Sequence, residues 1–176
     1  MIDINADGLL DIYVCKGGWD NDPEMRINEL FINKGDGKFE EKAAEFGLDD
    51  HGFSFQSAFF DMDNDGDLDM YLINHPNRSF LKIPDYLRGR KSNKRSQKDR
   101  LYRNNGDDTF SDVTEEAGML GTYGYGLGVS VADLDNNGYL DIYVSNDYTE
   151  PDYFWLNNGD GTFTESVKER MRHISV

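Results

Sequence analysis

Asp61-Met62-Asp63-Asn64-Asp65-Gly66-Asp67-Leu68-Asp69-Met70-Tyr71-Leu72 is the stretch that decides how this chain reads. Counted from Asp61, side-chain oxygens stand at positions one, three, five and nine, and glycine stands at position six. A β-prone apolar run follows directly. The same layout recurs as Asp3-Ile4-Asn5-Ala6-Asp7-Gly8-Leu9-Leu10-Asp11-Ile12-Tyr13-Val14 and as Asp133-Leu134-Asp135-Asn136-Asn137-Gly138-Tyr139-Leu140-Asp141-Ile142-Tyr143-Val144. Internal repetition at such intervals marks an array of similar units stacked on one another.

A second motif follows each of these loops: Asn33-Lys34-Gly35-Asp36-Gly37-Lys38-Phe39, Asn104-Asn105-Gly106-Asp107-Asp108-Thr109-Phe110 and Asn157-Asn158-Gly159-Asp160-Gly161-Thr162-Phe163. Asn, Gly and Asp between two β-prone runs is hairpin chemistry, because these residues tolerate positive φ. Asp36, Asp107 and Asp160 are therefore read as turn formers, not ligands. The unit becomes strand, acidic loop, strand, connection, strand, tight turn, strand. In the second unit the strands are expected near 54–60, 70–73, 101–103 and 109–113, and in the third near 128–132, 142–145, 153–156 and 162–166. Glu115-Glu116-Ala117-Gly118 would link one unit to the next.

Four short antiparallel strands per unit make the blade of a β-propeller. The expected fold is all-β, with about three blades and the acidic loops between first and second strands. Residues 1–50 form a first blade without its opening strand, 51–120 a second, 121–168 a third, and 169–176 the start of another. Because Met1 leads straight into an acidic loop, the chain reads as part of a longer protein. Exposed blade edges invite self-association, and the tail from Ile174 is expected to pair with the incomplete first blade, within one molecule or between two. One segment, His75 to Arg100, breaks the pattern. It carries Lys82, Arg88, Arg90, Lys91, Lys94, Arg95, Lys98 and Arg100 and reads as a solvated basic insertion.

The loop spacing suits a hard cation. Calcium takes six to eight oxygens in a flexible shell. Alternating side chains on a curled backbone bring positions one, three and five to one centre, position seven adds a carbonyl, and position nine closes the shell. The expected ligands are Asp3, Asn5, Asp7, Leu9 (carbonyl) and Asp11; Asp61, Asp63, Asp65, Asp67 (carbonyl) and Asp69; and Asp133, Asp135, Asn137, Tyr139 (carbonyl) and Asp141. That makes about three Ca2+ sites, the second carrying the most charge. A helix-loop-helix calcium hand would need Glu at position twelve, where this chain has Val14, Leu72 and Val144. Magnesium demands a strict octahedron, and zinc lacks His or Cys in these loops.

Composition narrows the rest. Of the 176 residues, 13% are aromatic, too many for a disordered chain. A formal net charge of −16 disfavours nucleic acid. The single cysteine, Cys15, excludes an intrachain disulfide and sits where a strand residue would pack. No apolar run is long enough to span a bilayer. His51, His75 and His173 show no nucleophile-and-base pattern, so no enzyme activity is expected. Trp19, Tyr123 and Tyr125 are candidates for stacking on a sugar or for packing.

The three loops, together with Gly52-Phe53-Ser54 through Phe60-Asp61-Met62-Asp63 and Gly126-Leu127-Gly128-Val129-Ser130-Val131-Ala132-Asp133, resemble the FG-GAP (VCBS) repeat family. These are the calcium-loop blades of integrin α-chain propellers and of many bacterial surface proteins, and the insertion and turns are similar to the branch related to cartilage acidic protein. The resemblance implies a ring of about seven blades and a calcium-stabilised interaction module. Such a module would be extracellular, cell-surface or periplasmic and would bind protein or glycan. A propeller portion of a polysaccharide-active enzyme, or a purely structural repeat, is the alternative.

Overall fold

The computed structural model describes residues 1–17, 22–76, 97–120, 122–147 and 150–171. Trp19, the body of the basic insertion and the tail beyond Met171 lie outside them, and with them the expectation that the tail pairs with the first blade.

Among the described residues eleven strands form three antiparallel sheets in which sequence neighbours are sheet neighbours. The first sheet is β1 (Ile12–Val14), β2 (Glu29–Asn33) and β3 (Phe39–Glu41). The second is β4 (Ser54–Phe60), β5 (Asp69–Asn74), β6 (Arg100–Asn104) and β7 (Phe110–Asp112). The third is β8 (Tyr125–Ala132), β9 (Asp141–Asp147), β10 (Tyr153–Asn157) and β11 (Phe163–Glu165). These are propeller-like blades that do not close a ring. The first lacks its opening strand, as the sequence implied, and keeps only an isolated Ile2–Asp11 bridge there.

β5 explains the stacking. All six of its residues are buried, because successive side chains point to opposite faces and each face meets another blade. Met70 and Leu72 join Leu30, Ile32, Phe46 and Leu48 of the first blade. Tyr71 and Ile73 join Ile142, Val144, Tyr153 and Trp155 of the third. Fully burying one such side chain contributes roughly 1.5–3 kcal/mol, so the middle blade is held from both sides.

β4 and β8 lie against each other and carry bulges at equivalent places, between Ser54 and Gln56 and between Gly126 and Gly128. The bulges turn Phe55 and Leu127 outward. Gly126 is required there, since a Cβ would come within 2.8 Å of Ile73 Cγ2 across the blade interface.

Two details differ from the sequence reading. Short helices, α1 (Ala43–Phe46) and α2 (Val167–Arg170), follow the last strands of the first and third blades, whereas the link at 115–118 between the second and third blades is built of turns, with Ala117 in the core. Finally, β6 begins at Arg100, which is buried in the sheet near Asp112. Asp99 and Arg100 therefore belong to the blade and not to the insertion.

Candidate metal centre

Each acidic loop is a short coil closed by its own side chains. In the second loop Asp61 Oδ1 accepts from Asp65 N (3.2 Å) and Oδ2 from Gly66 N (3.0 Å), while Asp65 Oδ1 accepts from Asp67 N (2.9 Å). In the first, Asp3 accepts from Asp7 N and Gly8 N, and Asp7 Oδ1 from Leu9 N. In the third, Asp133 accepts from Asn137 N and Gly138 N, and Asn137 Oδ1 from Tyr139 N. The coil needs left-handed backbone at positions four and six. Asn64 and Asn136 (φ 61° and 60°) and Gly66 and Gly138 (φ 95° and 90°) accept it readily, whereas the first loop places Ala6 there at φ 54°.

The position-nine acids are buried and bridge strands. Asp11 accepts from Ile4 N (3.1 Å) and Asn33 N (2.7 Å). Asp69 accepts from Met62 N (2.9 Å) and Asn104 N (2.8 Å). Asp141 accepts from Leu134 N and Asn157 N, both at 2.8 Å. Each carboxylate oxygen keeps a further lone pair for a cation. Burial pushes the Asp69 carboxyl up to about 7 against the pull of its two N–H donors.

Oxygens of Asp61, Asp63 and Asp65 lie within 4.8 Å of one another, as do oxygens of Asp133, Asp135 and Asp141. In the first loop, where Asn5 replaces an acid, Asp3, Asp7 and Asp11 do not form such a triad; Asn5 Nδ2 instead donates to Asp7 Oδ2 (3.1 Å). Asp63 Oδ1 is a buried oxygen with no hydrogen-bond partner, an arrangement native proteins rarely leave without an explanation such as a bound ion. Burial, followed by the neighbouring Asp65 charge, raises the Asp63 carboxyl above its ordinary range. Oxygens gathered within 4.8 Å suit a hard divalent cation with an oxygen shell, such as calcium. Asp61, Asp63, Asp65 and Asp133, Asp135, Asp141 would hold it, and its chemistry would be charge neutralisation.

The sequence reading missed the Asn that opens each tight turn. Asn157 donates its backbone N–H to Asp141, its Oδ1 accepts from Gly159 N, and its Nδ2 donates to Met62 O (2.7 Å) and Leu140 O (3.2 Å). Asn33 and Asn104 repeat most of this, reaching Leu10 O and Leu68 O. These side chains brace the acidic loops. Asn64 Nδ2 also reaches Gly138 O (3.1 Å), so the second and third loops touch. The signal was present in the repeat register, as Asn at the same place in all three turns.

The turn acids behave as turn formers: Asp107 and Asp160 accept from Thr109 N and Thr162 N two residues on. Tyr123 and Tyr125 are buried and offer no sugar platform. His75 is a packing residue, stacked on Phe55 at 4.6 Å with Nε2 2.8 Å from Gly126 O. Cys15 is half-buried and unoxidised, its thiol pushed up to about 11 by burial. No helix among the described residues is long and apolar enough to cross a membrane.

The family model described as FG-GAP-like repeat matches residues 3–72 and 82–144. No curated protein matches the chain. Both matched stretches contain the acidic loops, and they cover most of the sequence. The chain is a member of the FG-GAP-like repeat family.

Proposed function

We propose that this chain is a calcium-stabilised, non-catalytic β-propeller module of a secreted, cell-surface or periplasmic protein, and that it presents its blades to a protein or glycan partner. The observation that carries the calcium reading is the partnerless buried Asp63 Oδ1 between Asp61 and Asp65. Three carboxylates within a few Å repel one another, and a divalent cation removes that repulsion. At ~1 mM calcium and a Kd of ~100 μM, typical of weak extracellular modules, each site adds about 1.4 kcal/mol. The role is structural because the position-nine acids already tie strands together, so the ion completes a brace.

The experiment is a set of thermal melts in EDTA, then calcium, then magnesium. A rise in Tm specific to calcium, lost in the Asp63→Ala/Asp135→Ala double variant, supports the proposal. A Tm indifferent to calcium overturns it.

A further inference from the structure

Asparagine followed by glycine is the sequence at which a backbone most readily attacks its own side chain, because glycine has no Cβ to block the approach and bends freely. The glycine nitrogen closes on the side-chain amide carbon, ammonia leaves, and hydrolysis of the cyclic imide leaves an acid. The chain has three such pairs: Asn105-Gly106, Asn137-Gly138 and Asn158-Gly159. All three asparagines are exposed, so exposure does not distinguish them. Their hydrogen bonds do.

In the two tight turns the amide is held across the hairpin. Asn105 Nδ2 donates to Thr109 Oγ1 (2.9 Å) and its Oδ1 accepts from Ser111 Oγ (3.1 Å). Asn158 does the same with Thr162 Oγ1 (2.9 Å) and Thr164 Oγ1 (3.2 Å). Gly106 N and Gly159 N donate to neutral amides, Asn104 Oδ1 and Asn157 Oδ1, both at 3.0 Å. Neither amide can take the proton that the attack must shed. Asn137 is arranged otherwise. Its Oδ1 accepts from Tyr139 N at 2.8 Å, so the side chain folds back over Gly138, and the ring closed by that bond contains both the amide carbon and Gly138 N. Gly138 N donates to a carboxylate, Asp133 Oδ2, at 3.0 Å. The Asn137 Nδ2 donates to Asn157 O at 2.8 Å.

We propose that Asn137 is a self-modification site, at which the third acidic loop converts its own amide to a carboxylate. Asp133 accepts the Gly138 N–H proton as Gly138 N bonds to Asn137 Cγ. Charge developing on Oδ1 meets the Tyr139 N–H that already faces it. The Cγ–Nδ2 bond then breaks, the proton passes from Asp133 to the departing nitrogen, and ammonia is released. Water opens the imide. Cleavage of the new N–Cγ bond gives aspartate at position 137, and cleavage at the former main-chain carbonyl gives an isoaspartyl linkage. Water enters, ammonia leaves, and nothing is oxidised or reduced. The aspartyl product carries at position five of the loop the acid that Asp7 and Asp65 supply in the other two. The proposal rests on this loop's hydrogen bonds and not on the calcium reading, so each can fail alone.

The test is peptide mapping by mass spectrometry on the full chain aged at mildly alkaline pH in EDTA, folded and in urea, with isoaspartyl methyltransferase labelling to detect the isoaspartyl product. In urea the three asparagines should convert at similar rates. In the folded chain Asn137 should convert about tenfold or more faster than Asn105 and Asn158. Asp133→Asn keeps an oxygen that accepts from Gly138 N but cannot take its proton. It should bring the Asn137 rate down to that of the turns, and circular dichroism would verify its fold. The comparison among the three sites needs only the wild type, so it decides the matter even if the variant unfolds. Conversion at Asn137 no faster than at the turns of the folded chain overturns the proposal, and so does an unchanged Asn137 rate in folded Asp133→Asn.

Discussion

Tyr71 donates its hydroxyl proton to Asp99 Oδ2 over 2.7 Å, and both residues are buried in the second blade. Asp99 Oδ1 accepts from Asn74 N at 3.0 Å, so this one carboxylate ties β5 to the residue that precedes β6. The relationship repeats in the third blade, with Tyr143 donating to Asp152; in the first, Asn28 donates to the Tyr13 hydroxyl, which itself donates to Leu48 O. Burial raises the Asp99 carboxyl to about 6, against the pull of Asn74, Tyr71 and Arg100. The folded state therefore binds the proton more tightly than the unfolded state. The resulting stability is present below the ordinary carboxylate range and is lost as pH rises through about 6. Asp99→Asn should abolish this loss. Between pH 4 and 7 the variant should gain on the order of 2 kcal/mol relative to wild type, read by urea unfolding at each pH. Parallel pH profiles would contradict the assignment.

Asp63→Asn should separate the ion from the fold. In EDTA the variant should melt at or above the wild-type temperature, because one of three crowded charges is gone. In calcium it should respond less than wild type. Isothermal titration should show one site fewer, or one site weakened by tenfold or more. An unchanged titration would place the ion elsewhere.

Asn157→Ala should destabilise the third blade by roughly 1–3 kcal/mol, because it leaves Met62 O without this donor and Gly159 N without this acceptor. Met62 lies inside the second acidic loop, so calcium affinity there should also fall. A variant with wild-type stability would show that the brace is dispensable.

Ala6 occupies left-handed backbone where the other two loops use Asn. Ala6→Asn should therefore stabilise the first loop by about 1 kcal/mol, read as a higher denaturant midpoint at constant slope. A lower midpoint would mean that Ala6 makes a contact worth more than its strain.

Gly126→Ala should act in the opposite direction. Its Cβ would press on Ile73 across the interface of the second and third blades, at a cost of roughly 1–3 kcal/mol. Proteolysis should then open the boundary between those blades first. Unchanged stability would show that the side chains there can give way.

The repeat was legible because it is written locally. Acids at alternating positions with Gly66 and Gly138 at the turn, followed by Met70-Tyr71-Leu72 or Ile142-Tyr143-Val144, specify loop then strand without distant partners. Strand bounds followed to within a few residues. Ser54–Phe60 was read from pattern alone and coincides with β4. Tertiary structure decided what local pattern cannot encode. Asp69 looks like one more acid in its loop, yet its oxygens serve Met62 N and Asn104 N, the second from a strand 35 residues away. Asn157 reads as a turn residue until the second blade brings Met62 O against it. The orphaned oxygen of Asp63 arises only when the coil closes around it. Spacing sets which groups can meet, because backbone geometry is local; burial and partnership depend on which blade packs on which face, and only the folded stack fixes that.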